Sequence, residues 1–153
     1  MAKREFARFI SDEEVRELGE GMMACSLPKA RWTHAAHWST TLWLLVERPD
    51  VQPERDLPGL IRAYNESVGG QNTDTAGYHE TITQASIHAA RRFLRERAGR
   101  GEPLFAMCNA LMETELGDPE WLLEFWNRKT LFSIEARREW VEPDKQRLGN
   151  EVR

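Results

Sequence analysis

The chain has 153 residues, 41% of them hydrophobic and 30% charged, and a net charge of -4 with histidine neutral. This is one domain's worth of sequence, long enough to bury a core without disulfide or metal staples. The totals exclude a disordered chain, a collagen, a disulfide scaffold and a membrane protein. The acidic balance argues against nucleic acid and anionic membranes as partners.

Two cysteines, Cys25 and Cys108, stand far apart among apolar neighbours. They read as buried free thiols of a reducing compartment. The longest apolar run, 42–46, is far too short to span a bilayer, and the N-terminus has no apolar stretch of signal-peptide length. The expected location is the cytoplasm, with no membrane association.

Leu and Ala total 30 residues against 11 for Val and Ile, which favours helices over a sheet. The predicted fold is all-α, a compact single-domain bundle of six or seven short-to-medium helices over residues 1–144. The polar segment 145–153 is predicted to be a fraying tail.

Ser11 to Glu14 is a capping box that opens a first helix carrying Val15, Leu18, Met22 and Met23. A second helix is expected over 32–47. A third is expected to open at Asp56, with Pro58 in its first turn and an apolar stripe of Leu57, Leu60, Ile61, Tyr64 and Val68. A polar connector, 71–77, leads to a long helix over 78–98. It reads as a loop holding an N-cap (Asp74 or Thr75), with a lid as its functional alternative, and it lacks the nucleotide-binding glycine pattern. Further helices are expected from Pro103 to Leu111, from Asp118 through Trp126, and from Ser133 to Val141.

All four histidines lie between residues 34 and 88. His34 and His37 are three residues apart on a helix that is apolar nearly all round, so both imidazoles project from one side, about 60° from each other. On the long helix His79 falls inside the apolar arc and His88 outside it. A divalent ion such as zinc, nickel, iron or manganese would account for three inward imidazoles, His34, His37 and His79. Glu80 is then a candidate fourth ligand, an orienter of a ligating histidine or a general base for metal-bound water, with Tyr78 beside it. The competing reading leaves the histidines structural, or gives them a metal-free ligand, in a non-enzymatic binding or protein-interaction module.

Three blocks carry a resemblance. They are Trp-Thr-His-x-x-His at 32–37, Gly-Tyr-His-Glu-Thr-Ile-Thr at 77–83, and Ser-x-x-Ala-Arg-x-x-Trp-x-x-Pro-Asp ending at Asp144. Together they resemble a family of small uncharacterised bacterial all-helical proteins. Ala36 and Trp38 stand where the family pattern has Asp and Leu, so no acid separates the two histidines here. The resemblance implies that His34, His37, Tyr78, His79 and Glu80 form one family-defining set, and it supplies no substrate.

The remaining features have simpler readings. The arginines between 91 and 100 read as a solvated helix end. Trp121 and Trp126, on a short helix, are candidates for a homodimer contact. Arg137 and Asp144 are candidates for an ion pair, or Arg137 for an anion-binding group. The functional expectation is a small-molecule site without a nucleotide cofactor.

Overall fold

The computed structural model describes residues 7–149, and these form seven α-helices with no strand among them. The basic start of the chain and the end of the polar tail, 150–153, lie outside the described residues. The helices are α1 (Asp12–Met23), α2 (His34–Glu47), α3 (Pro53–Ser67), α4 (Glu80–Glu96), α5 (Leu104–Met112), α6 (Arg128–Leu131) and α7 (Ile134–Arg138), with 3-10 turns at 29–31, 115–117 and 121–124. No helix among the described residues is long and apolar enough to cross a membrane.

α2 is the central element and contacts α1, α3, α4 and α5. Leu42 and Leu44 have no exposed surface, and Trp38 and Trp43 are also buried. Each such side chain removed from water contributes roughly 1.5–3 kcal/mol. α1 can approach α2 closely because position 19 is glycine. A Cβ there would stand 2.2 Å from Cε3 of Trp43.

Several boundaries follow the caps read from sequence. Ser11 accepts from the Glu14 amide, and Ser133 accepts from the Ala136 amide. α3, however, starts at Pro53, a turn earlier than expected. Pro58 therefore lies inside the helix, where it has no N–H for the carbonyl four residues back. That carbonyl, on Glu54, instead accepts from Nε2 of Gln84, 3.1 Å away on α4. A side chain from a neighbouring helix thus supplies the bond that proline removes.

Four further expectations are corrected. The aromatic segment at 121–124 is a 3-10 turn rather than an α-helix. α7 ends at Arg138, short of Val141. Cys25 is exposed, whereas Cys108 is buried. Residues 145–148 dock instead of fraying: the Lys145 amide donates to the Phe125 carbonyl, and Leu148 packs on the core.

The connector at 71–77 is fastened at several points. Asn72 Oδ1 accepts from the Tyr78 amide and from Asn65 Nδ2. Arg138 pairs with Asp74, and Arg137 Nη1 donates to the Gly77 carbonyl. Gly77 has a φ of +84°, a left-handed conformation that glycine adopts without strain, and a Cβ there would strike the Gln71 carbonyl.

Candidate functional site

Thr33 caps α2 through the Ala36 amide, which places His34 in the first turn. Its Nε2 lies 3.0 Å from the Leu116 carbonyl oxygen, and Nε1 of Trp38, one turn later, lies 2.9 Å from the same oxygen. A carbonyl oxygen only accepts, so the tautomer of His34 protonated at Nε2 donates to it, whereas in the other tautomer Nε2 accepts from Trp38 Nε1, 3.2 Å away. In either case the two side chains gather at this oxygen and tie α2 to the turn at 115–117.

His37 is different. Its ring takes no hydrogen bond from the described residues, and it rests against the indole of Trp32. It is exposed, and it lines a cavity of about 270 Å³ between α2, α3, α4 and the segment 119–122. Protein packed around the ring pushes its pKa down to about 4, and the nearby His34 adds to the effect. The ring is a neutral imidazole near pH 7, with an available lone pair.

The same cavity is lined by His34, Trp38, Trp121, Leu57 and Ile61, and by the hydroxyl residues Thr41, Thr83 and Ser86. Thr41 and Thr83 return their hydroxyls to backbone carbonyls of their own helices, on His37 and His79. Ser86 makes no such bond among the described residues. The walls are apolar and aromatic, and the uncommitted polar groups are few, which is the composition of a small-molecule site.

His79 is not on a helical face. It is the N-cap of α4, with extended backbone at φ -135° and ψ 110°. Its Nδ1 accepts from the Ile82 amide, which fixes the proton on Nε2, and Nε2 donates to the Leu131 carbonyl at 2.7 Å. Both nitrogens are committed inside the protein. Burial lowers its pKa, partly opposed by the bond to Leu131. No group of three or more His, Cys, Asp or Glu among the described residues is placed to hold a metal ion. The residues that share a cavity and could offer nitrogen donors are His34 and His37.

Tyr78 and Glu80 also fall outside the lining of that cavity. The buried Tyr78 hydroxyl donates to Glu80 Oε1, while Glu80 Oε2 accepts from Gln84. Arg62 lies over the Tyr78 ring, 4.4 Å from its centroid. Burial, and then the bond to Glu80, raise the tyrosine pKa. These residues join the start of α4 to α3, next to His79 in sequence and outside the cavity that His34 and His37 line.

Trp121 and Trp126 are buried within the chain, which removes them as a dimer surface. Arg137 and Asp144 do not pair with each other: Asp144 instead accepts from the Asn127 amide and the Thr130 hydroxyl. Among the arginines between 91 and 100, Arg91 is ion-paired with Glu54 and Arg92 with Glu96 on α4, and Arg97 with Glu102 just past it. Burial pushes the Cys108 thiol up to about 12, so it stays protonated near neutral pH.

The sequence reading missed Ser86 and the wall supplied by Trp121 and Leu122. Thr83 and Ser86 are three residues apart, and that spacing was the available signal for a polar stripe on one face of α4. Comparisons with protein-family models, curated proteins and solved structures give no match.

Proposed function

We propose that this chain is a small-molecule-binding protein whose ligand occupies the cavity between α2, α3 and α4. The observation that carries this reading is His37, an accessible neutral imidazole with no hydrogen bond from the described residues, on the wall of an otherwise largely apolar cavity. A cavity of roughly 150 Å³ lined by aliphatic and aromatic side chains holds benzene in another protein. The present one, at about 270 Å³, suits a single substituted ring or a compact aliphatic molecule of similar size. One polar group on that molecule would meet His37, with Ser86 as a second anchor.

The placement of His79 favours a metal-free ligand. A divalent ion would find two imidazole donors in the cavity, and His34 would have to turn from Leu116 to serve as one of them. No reaction step is assigned to Glu80, whose carboxylate is engaged by Tyr78 and Gln84.

Phenol and toluene test the reading, since phenol has, in place of the toluene methyl, a hydroxyl that can donate to the His37 lone pair. Titration of either should move the His37 ring resonances and the tryptophan fluorescence, with phenol binding more tightly. His37→Ala should abolish that preference. If neither probe moves the His37 signals, the reading fails. Elemental analysis showing stoichiometric metal, with a melting temperature lowered by chelator, would replace it with a metal site on His34 and His37.

A further inference from the structure

A second cavity, of about 600 Å³, is lined by Phe9, Leu18 and Met112 and by the charged or polar residues Glu14, Arg31 and His34. His34 also lines the smaller cavity. The volume lies within the range of roughly 300–1,000 Å³ typical of ligand pockets.

The two ionic groups on this wall are in different states. The Glu14 carboxylate is engaged, with Oε1 accepting from the Ile10 amide at 2.9 Å. The Arg31 guanidinium makes no ion pair or hydrogen bond with any described residue. Most of the described arginines are engaged instead. Arg16, Arg91, Arg97 and Arg138 each hold a carboxylate, and acids outnumber bases by 25 to 21 across the chain. An uncommitted planar fork of N–H donors beside apolar walls matches a carboxylate carried on an apolar body.

We propose that this cavity binds an amphipathic monocarboxylate, its apolar body against Phe9, Leu18 and Met112 and its carboxylate on Arg31. The fixed negative charge of Glu14 on the same wall disfavours a doubly charged head group. The proposal stands independently of the ligand assigned to the His37 cavity.

Octanoate, 1-octanol and octyl phosphate are the probes, titrated at low salt into protein labelled at its methionine methyl groups. Octanoate should shift the Met112 methyl resonance and bind about tenfold more tightly than 1-octanol, as a charge-assisted bond of moderate strength would give. It should also bind more tightly than octyl phosphate. Arg31→Gln should bring octanoate down to the affinity of 1-octanol and leave 1-octanol unchanged, while Arg31→Lys should restore part of the preference. Arg31 is exposed, so its replacement leaves the core in place. An unmoved Met112 methyl, equal affinities of octanoate and 1-octanol in the unaltered protein, or a preference that survives Arg31→Gln would each overturn the proposal.

Discussion

The indole of Trp32 and the imidazole of His37 lie with ring centroids 4.1 Å apart and planes inclined by 31°. The indole covers one side of the imidazole, and the cavity opens beside it. The pair ties a titrating group to a fluorophore, so the state of the cavity can be read from either ring.

The first prediction concerns that titration. His37 should titrate well below the ordinary value of 6.5, toward about 4. Its folded pKa lies below its unfolded one, so the unfolded chain binds more protons between those values and stability rises with pH across that window. Acidification from pH 7 therefore weakens the fold through this group. Trp32→Ala opens the ring to water and should raise its pKa. Histidine ring spectra across pH 4–8 decide the matter, and a midpoint near 6.5 for His37 in the unaltered protein would contradict it.

His79 should behave as a structural residue. His79→Ala removes the cap, worth about 1 kcal/mol, and leaves the buried Leu131 carbonyl unpaired, at about 1–3 kcal/mol. His79→Asn keeps an oxygen able to cap α4 and loses the reach to Leu131, so it should cost less than the alanine change. Urea unfolding measures both. Equal stability of the alanine variant and the unaltered protein would refute the assignment.

The pH dependence of the same residue has a definite sign. Burial lowers the pKa of His79 in the folded chain, and a proton on Nδ1 would displace the Ile82 amide. Stability from this group is present above the unfolded histidine value and declines as pH falls below it. The urea midpoint should therefore drop between pH 7 and pH 5 more steeply in the unaltered protein than in His79→Asn.

Gly19→Ala should destabilise the protein despite its favourable helix propensity. The new Cβ would overlap the six-membered ring of Trp43, which is 2% exposed and has nowhere to move. Overpacking of this kind costs typically 1–3 kcal/mol. Gly59→Ala meets nothing within 4 Å and is the matched control in thermal melts.

The helices were legible where a local signal decides the matter. Ser11 and Ser133 cap as expected because a hydroxyl three residues before an amide is a purely local arrangement. The start of α3 was hidden because Pro58 resembles a first-turn proline. What lets it sit deeper is Gln84, distant in sequence. His79 was misplaced for a related reason. Caps are sought among Ser, Thr, Asp and Asn, and a histidine that caps with Nδ1 looks in sequence like one more turn of the helix that follows it. Once His79 caps α4 and holds Leu131, it no longer belongs with His34 and His37. The pairing of those two on one cavity followed from their spacing of three, whereas the aromatic wall across from them comes from a 3-10 turn with no periodicity to reveal it.

The Leu116 oxygen that receives His34 and Trp38 is a main-chain atom. No replacement at position 116 deletes it, so substitutions scanned along 115–117 would pass over this junction and report only on the leucine side chain. The tie can be cut genetically only from α2, by changing the imidazole or the indole that reaches across. Chemical synthesis would have to weaken the acceptor itself, for example with a thioamide at that linkage.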